Sequence, residues 1–243
     1  MSRMMDRPLL ISSLIEHAAQ NHAKTEIVSR TIEGGTTFTL HRSNYGEACR
    51  RAKRLANART RVGGSKSDRV ATLAWNGYRH FELYYGVSGS GRVLHTINPR
   101  LHPEQIAWIA NHAEDQVLCF DLSFLPLVQA VHGKCTTIKH YIALCDADKL
   151  PADSGIPNLL SYEGWIGGQS DDYDWPEFDE NTASSMCYTS GTTGNPKAAI
   201  YSHRPSTWHN DAYALPDATL TSARHPVFPG EPLIQGPPLG CLS

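Results

Sequence analysis

The chain has 243 residues, of which 40% are hydrophobic and 19% are charged, and its formal net charge is −2. This composition is typical of a globular protein with a packed interior and excludes the high charge and low hydrophobicity of a disordered chain. So small a net charge gives no field that would attract nucleic acid or an anionic membrane surface, and neither partner is expected.

The N-terminal part of the chain predicts a helix, a hairpin and a second helix. Apolar residues between Leu9 and Ala18 fall at helical spacing, and the segments TEIVSR (25–30) and TTFTL (36–40) predict two short strands around a glycine turn. Ser43 is predicted to cap the second helix, which has an apolar side between Tyr45 and Ala56. The basic residues of that helix are expected on its solvent-facing side.

From residue 69 to residue 145 the patterns of strand and helix alternate. Strands are predicted at 69–75, 92–97, 116–121 and 140–145, and helices at 78–89, 102–113 and 124–133. This alternation favours right-handed crossovers and an α/β fold, with a doubly wound, largely parallel sheet and flanking helices. Ligands of such sheets bind beyond the carboxyl ends of the strands.

The remaining chain divides into a connection, a strand with a loop, and a proline-rich tail. Residues 146–182 are polar and predict one short helix around 162–166, whereas ASSMCYTS (183–190) predicts a buried strand that runs into a glycine-rich loop. Seven of the fifteen prolines lie between Pro205 and Pro238. Because proline removes a backbone donor and fixes φ, residues 205–243 are predicted to be irregular.

The loop after the last predicted strand has the composition of a phosphate-binding site. Two glycines let successive N–H groups point into one concavity, the hydroxyl side chains add donors, and a lysine adds a mobile positive charge. The predicted phosphate-binding residues are Thr189, Ser190, Gly191, Thr192, Thr193, Gly194 and Lys197. The alternative is a surface turn rich in serine and glycine. That alternative is disfavoured because the loop directly follows an apolar strand and is followed by a lysine.

Two other phosphate-binding motifs do not fit. A Walker A loop requires four residues between its glycines and a Ser or Thr after the lysine, whereas Gly191 and Gly194 are three apart and Ala198 follows Lys197. A P-loop kinase or GTPase is therefore disfavoured. The second glycine run, Gly89 and Gly91, also lacks the last glycine of a dinucleotide fingerprint.

The segment YTSGTTGNPK (188–197) resembles the phosphate-binding signature of the adenylate-forming, or AMP-binding, superfamily, which includes acyl-CoA synthetases and luciferases. VLHTINPRLHPEQIAWI (93–109) and YSHR (201–204) resemble segments of the medium-chain fatty-acyl-CoA ligases and methylmercaptopropionyl-CoA ligases. The resemblance runs from about residue 9 to residue 204. Family members usually have glycine where this chain has Ala198, so a weaker hold on phosphate is expected.

The resemblance implies an ATP-dependent carboxylic acid–CoA ligase that forms an acyl-adenylate and then an acyl-CoA. Its substrates would be a small-molecule carboxylic acid, ATP and coenzyme A, with Mg²⁺ shared between phosphates and water. Residues Thr189 to Lys197 would hold the β- and γ-phosphates of ATP. The family's catalytic lysine and magnesium-binding glutamate have no counterpart in this sequence, so no catalytic residue is assigned.

Compared with the family, the chain resembles an incomplete large N-terminal domain. Residues 1–204 are predicted to form that partial AMP-binding domain, with 205–243 as a tail that departs from the family. A truncated chain of this kind is expected to be inactive alone. The alternative function is therefore a catalytically inactive nucleotide-binding module, which would bind ATP without exchanging pyrophosphate.

The six cysteines are scattered without a C-x-x-C pair, so neither a disulfide framework nor a metal site is predicted. The N-terminal apolar stretch is too short for a signal peptide, and no segment approaches the roughly 18 apolar residues of a membrane span. A cytoplasmic location follows as an expectation.

Overall fold

A computed structural model describes residues 7–31, 39–61, 65–189 and 195–207. Its α-helices are Ile11–Asn21 (α1), Tyr45–Arg61 (α2), Tyr78–Gly89 (α3), Pro103–His112 (α4), Leu125–Val131 (α5) and Tyr162–Ile166 (α6). Its strands are Glu26–Arg30 (β1), Leu40–Asn44 (β2), Arg69–Leu73 (β3), Val93–Thr96 (β4), Asp115–Phe120 (β5), His140–Ala143 (β6), Leu159–Ser161 (β7), Ala183–Thr189 (β8) and Lys197–Ser202 (β9). Residues 203–207 are also helical.

The main sheet has seven strands in the order β7-β6-β5-β3-β4-β8-β9. Every neighbouring pair is parallel except β8 and β9, which are antiparallel. The predicted α/β class with a largely parallel, doubly wound sheet is therefore confirmed. Because the six parallel strands run in one direction, their carboxyl ends lie along one edge of the sheet, called here the carboxyl edge; the opposite side is the amino edge.

Both faces of the sheet are covered, which explains why its central strands are almost uniformly apolar. Ala71 and Leu73 of β3 belong to the core formed with α4 and α5, while Val70 of the same strand belongs to the core formed with α2, α3 and α6. Leu94 of β4 also lies in the second core and is fully buried. Burial of one such side chain contributes about 2 kcal/mol.

The N-terminal hairpin differs from the prediction in its second strand. That strand was expected at 36–40, but β2 begins at Leu40 and pairs antiparallel with β1, so that Leu40 lies opposite Arg30. Residues 36–38 lie outside the described part of the chain. The β-branched residues of TTFTL favour a strand locally, whereas the pairing partners of β1 decide its position.

The predicted cap of α2 was also wrong by one residue. Ser43 is part of β2 and lies opposite Ile27, whereas the side-chain oxygen of Asn44 accepts a hydrogen bond from the amide of Glu47 at 2.9 Å. Asn and Ser are similarly good caps in isolation, so the sequence alone does not choose between them. The pairing of β2 with β1 ends at Asn44, and this decides that Asn44 rather than Ser43 caps the helix.

The basic residues of α2 do not all face solvent, contrary to the prediction. Arg50 is exposed and pairs with Glu47, but Arg51 is largely buried and its Nε donates to Glu82 at 2.8 Å. Arg59, farther along the helix, is 1% exposed. The helix therefore has two charged residues on its packed side.

Arg51 belongs to a buried network that joins α2, α3 and α6. Its Nη2 donates to Glu163 of α6 at 2.8 Å, and the Nε of Arg79 on α3 donates to the same carboxylate at 2.9 Å. Burial opposes ionisation of Glu163, but the hydrogen bonds and charges of the two arginines outweigh burial and lower its pKa. The network holds the three helices on one face of the sheet.

The connection 146–182 is more structured than predicted. Its short helix is confirmed as α6, but the strand β7, three residues long, was not predicted. Within the connection, Trp175 packs against the core of α1, α2 and α3, and Phe178 contacts the ring of His203. Residues 205–207, the start of the tail that was predicted to be irregular, are instead helical, and the tail beyond residue 207 lies outside the described residues.

Among the helices that the structure describes, none combines the length and apolar composition needed to cross a membrane.

Candidate functional site

The predicted phosphate-binding loop connects β8 and β9 at the carboxyl edge of the sheet. β8 is parallel to β4, with Thr96 opposite Cys187, so its end at Thr189 points in the same direction as the end of β4. β9 then returns antiparallel, which places Lys197 directly opposite Thr189. The loop thus leaves the sheet on the side where ligands of parallel sheets bind.

The two ends of this loop are held together. The hydroxyl of Thr189 donates to the carbonyl oxygen of Lys197 at 3.4 Å, and both side chains are exposed. Lys197 makes no ion pair with a residue of the described part of the chain. The structure therefore brings the first and last predicted residues of the site together, with the ammonium group of Lys197 accessible to a ligand.

Five of the predicted site residues form the middle of the loop. Ser190, Gly191, Thr192, Thr193 and Gly194 lie outside the described residues, so their contribution to phosphate binding stays a prediction. Of the short segment that follows, Asn195 is exposed and Pro196 is partly buried.

The base of the hairpin is fixed to the rest of the fold by buried contacts. The hydroxyl of Ser88 on α3 donates to the carbonyl oxygen of Ser184 at 2.7 Å. Near the loop, the hydroxyl of Tyr188 lies 2.6 Å from Nδ1 of His112 on α4, and the ring of Trp108 stacks on His112. Burial raises the pKa of Tyr188, so this hydroxyl stays protonated at neutral pH. These contacts place β8 rigidly beneath the loop.

A second pair of polar side chains lies below Tyr188, inside the sheet. Nδ1 of His95 on β4 is 2.8 Å from Oδ2 of Asp115, and both side chains are fully buried. Burial, partly offset by His95, raises the pKa of Asp115. The ring of His95 lies 5.3 Å from that of Tyr188. This pair packs behind the hairpin without reaching its surface, as expected for a structural histidine.

The far end of the hairpin is anchored to α1. Nδ1 of His203 accepts a hydrogen bond from the amide of Ile11 at 3.2 Å, so the imidazole acts as a cap for the first turn of α1. Glu180 accepts from the amide of Leu9 at 2.8 Å and pairs with Arg204. Sequence reasoning assigned no role to these residues, because partners more than 150 positions apart leave no local signal.

Comparison with known proteins agrees with this arrangement. The family described as AMP-binding enzyme matches residues 14–228, which is most of the chain. The chain belongs to the AMP-binding enzyme family. The resemblance based on 188–197 is thereby confirmed.

Curated relatives of this chain include several acid–CoA ligases. A 3-methylmercaptopropionyl-CoA ligase of Ruegeria lacuscaerulensis is 48% identical over 99% of this chain and 44% of its own length. A medium-chain fatty acid–CoA ligase of Ectopseudomonas oleovorans is 46% identical over 96% of this chain and 42% of its own. The chain thus spans less than half the length of the curated relatives it matches.

Solved structures support the fold of the AMP-binding enzyme. The anthranilate CoA ligase AuaEII, solved in complex with anthranoyl-AMP, has a TM-score of 0.73 at 19% identity and covers 88% of this chain and 39% of its own. A long-chain fatty-acid CoA ligase from Archaeoglobus fulgidus has a TM-score of 0.71 at 18% identity, and the match covers 86% of this chain and 40% of that ligase. The chain is therefore a partial N-terminal domain of this fold.

Two clefts lined by described residues lie away from the hairpin. One, of about 30 Å³, lies at the carboxyl edge between the ends of β3 and β5, beside Trp75 and Asp121. The other, of about 220 Å³, lies between the start of α1 and residues 173–177. The first has room for little more than a water molecule, and the second is not at the carboxyl edge. Neither replaces the hairpin as the candidate nucleotide site.

Proposed function

We propose that this chain is the ATP-phosphate-binding part of an AMP-forming carboxylic acid–CoA ligase. The observation that carries the proposal is the pairing of Thr189 with Lys197 at the mouth of the β8–β9 hairpin. This pairing brings a hydroxyl, and an ammonium group that pairs with no acidic residue of the described ranges, to the two ends of a loop rich in glycine and threonine. The loop lies at the carboxyl edge, where a nucleotide would be expected to bind.

The chemistry of the first step suits such a loop. In adenylate formation, a carboxylate oxygen attacks the α-phosphorus of ATP while the bond to the β-phosphate oxygen breaks and pyrophosphate leaves. The β- and γ-phosphates gain negative charge as that bond breaks. Donors already positioned around them, together with Lys197, would stabilise this charge. Ser190 to Gly194 are proposed to supply most of these donors.

The other reactants are proposals on the same basis. Mg²⁺ would reach the site with the phosphates, which supply oxygen ligands together with water. The acid is proposed to be a medium-chain fatty acid or 3-methylmercaptopropionate, the acids named for relatives that are 46–48% identical. The acyl group would then pass from the adenylate to the thiol of coenzyme A, with AMP as the leaving group.

Two further points of organisation remain proposals. We assign residues 1–204 to the partial AMP-binding domain and 205–243 to a tail, into which the family match extends as far as residue 228; most of this tail lies outside the described residues. We also propose a cytoplasmic location. It is supported by the five described cysteines, which are all buried and form no disulfide with one another, because disulfides are rare in a reducing compartment.

Exchange of labelled pyrophosphate into ATP tests the proposed reaction. The purified chain, and a version extended over the part of the relatives that this chain does not span, are each incubated with ATP, Mg²⁺ and either octanoate or 3-methylmercaptopropionate. Acid-dependent exchange by the extended version supports a ligase, and the chain alone is expected to bind ATP without exchange. ATP binding without exchange by both proteins, whichever acid is present, would instead support the alternative function, an inactive nucleotide-binding module. In the extended version, exchange with Lys197→Met at the wild-type rate would contradict the role of this loop.

A further inference from the structure

Arg59 lies in the interior of the protein, on the apolar face of an amphipathic helix. It falls on the same face of α2 as Ala52, Leu55 and Ala56, all of which are fully buried. Arg59 itself is 1% exposed, and its Nε and Nη2 atoms are buried without a hydrogen-bond partner among the described residues. A guanidinium group has no acceptor of its own, so these N–H groups need one from elsewhere.

Arg92 presents a second buried guanidinium group nearby. It directly precedes β4 and is 7% exposed. Its Nη1 donates to the hydroxyl of Ser90 at 2.9 Å, but its Nε is buried and has no partner in the described part of the chain. Because side chains alternate along a strand, Arg92 is on the same face as Leu94, which packs in one core with Leu55 of α2.

The two arginines are charged and lack a paired acid. Burial, followed by the positive charge of Arg92, lowers the pKa of Arg59 to about 10, which still leaves it protonated at neutral pH. Asp68 is the acidic residue that influences both groups, but its carboxylate accepts from the amide of Ser65 at 2.6 Å and forms no ion pair with either arginine among the described contacts. Within the described part of the chain, the interior therefore holds two positive charges that no carboxylate pairs with.

Such an arrangement is costly unless something binds there. Removing an ion from water is unfavourable, and each buried donor without an acceptor adds to that cost. In contrast, Arg51 and Arg79 share the carboxylate of Glu163 on the same face of the sheet. The fold thus pairs its other buried arginines and leaves Arg59 and Arg92 with free donors.

We propose that Arg59 and Arg92 form a binding site for one small inorganic oxyanion, phosphate or sulfate, in the interior of the protein. Guanidinium groups bind such oxyanions through parallel, charge-assisted hydrogen bonds, and the Nε and Nη2 atoms of Arg59 are the pair of donors that this geometry uses. Arg92 supplies a third donor from the second side. The site lies at the amino edge of the sheet, opposite the hairpin, and is separate from the proposed ATP site.

Equilibrium dialysis with labelled sulfate, and separately with labelled phosphate, tests the proposal on the full chain at constant ionic strength. We expect saturable binding of one anion per chain. Arg59→Met keeps an unbranched apolar stem and removes the charge and the donors, and should weaken binding at least about tenfold, the equivalent of one lost charge-assisted hydrogen bond. Arg50→Met is the matched control on the exposed side of α2 and should bind like the wild type.

Arg92→Met provides a second test, and its affinity for the anion should weaken by a similar factor.

Thermal unfolding provides a readout besides binding. In anion-free buffer Arg59→Met should melt no lower than the wild type, because the buried charge has been replaced by an apolar group. Added sulfate should raise the melting temperature of the wild type and of Arg50→Met more than that of Arg59→Met. Absence of saturable binding by the wild type, or equal binding by all variants, would overturn the proposal.

Discussion

His203 should make the stability of the fold depend on pH. It is fully buried, its ring contacts Phe178, and its Nδ1 accepts the amide hydrogen of Ile11 at 3.2 Å. Burial lowers the pKa of His203 to about 4, from an ordinary value of 6.5. Protonation would place a charge in the core and remove the acceptor that caps α1. The neutral form is therefore the one that stabilises the fold.

The sign and size of the effect follow from these two pKa values. Between about pH 6.5 and pH 4 the unfolded chain binds a proton at this position and the folded chain does not, so stability is lost as the pH falls through this window. The shift spans about two and a half pH units. At about 1.36 kcal/mol per unit, the full loss is about 3 kcal/mol.

Urea unfolding of the wild type and of His203→Gln at about pH 7 and about pH 4 measures this contribution. Glutamine can still accept the hydrogen bond but does not titrate. Between about pH 7 and about pH 4, the free energy of unfolding of His203→Gln should therefore fall by about 2 to 3 kcal/mol less than that of the wild type. His80, whose pKa burial also lowers to about 4, acts equally in both proteins and cancels in the difference.

His17→Gln, on the exposed side of α1, serves as the control and should keep the wild-type pH dependence. If His203→Gln lost as much stability as the wild type over this range, His203 would not be buried as a neutral acceptor, and the reasoning would be refuted.

Two further predictions concern the packing of α2. Asn44→Ala removes the acceptor for the amide of Glu47 and should lower the free energy of unfolding by about 1 kcal/mol in urea titrations, whereas Asn44→Asp should not. Gly86→Ala would place a Cβ 2.6 Å from Cδ2 of Leu55 and should cost about 1 to 3 kcal/mol by separating α2 from α3. Gly133→Ala, which meets nothing within 4 Å, is the control, and equal stability of the two alanine variants would contradict this close packing.

Elements that are buried on most sides were predicted well from the sequence. α3 begins and ends at Tyr78 and Gly89, the predicted bounds, because glycine precedes it and follows it within two residues and its apolar residues cover most of its circumference. The central strands were found for a similar reason, since burial on both faces requires continuous apolar runs. β7 and β9 were missed because a strand at the edge of a sheet needs only one neighbour and little burial.

The burial of Arg59 had a signal that could have been used. Ala52, Leu55, Ala56 and Arg59 follow the i, i+3, i+4, i+7 spacing of one helix face, so the pattern places the arginine on the apolar side. The prediction followed residue type instead, because arginine is seldom fully buried. By contrast, the link between His203 and Ile11 joins the two ends of the domain, and only the assembled fold determines it.

The kind of site was predictable from the sequence, but its geometry depends on how the strands of the sheet pair. Composition indicates phosphate binding by residues 189–197, yet the pairing of Thr189 with Lys197 depends on β9 returning along β8. The sequence does not predict that β9 pairs with β8, because Lys197–Ser202 contains few buried residues and therefore lacks a clear strand pattern. Tertiary hydrogen bonding therefore supplies what the local pattern lacks.

The affinity for ATP tests the central claim most directly. Titration calorimetry compares the wild type with Lys197→Met and with Lys139→Met, a matched exposed lysine just before β6 at the amino edge of the sheet. Loss of one charge-assisted contact of about 1.5 to 3 kcal/mol corresponds to a decrease in affinity of roughly 10- to 100-fold. We predict this decrease for Lys197→Met alone. Equal affinity of all three proteins for ATP would contradict the assignment of the hairpin as the phosphate-binding site.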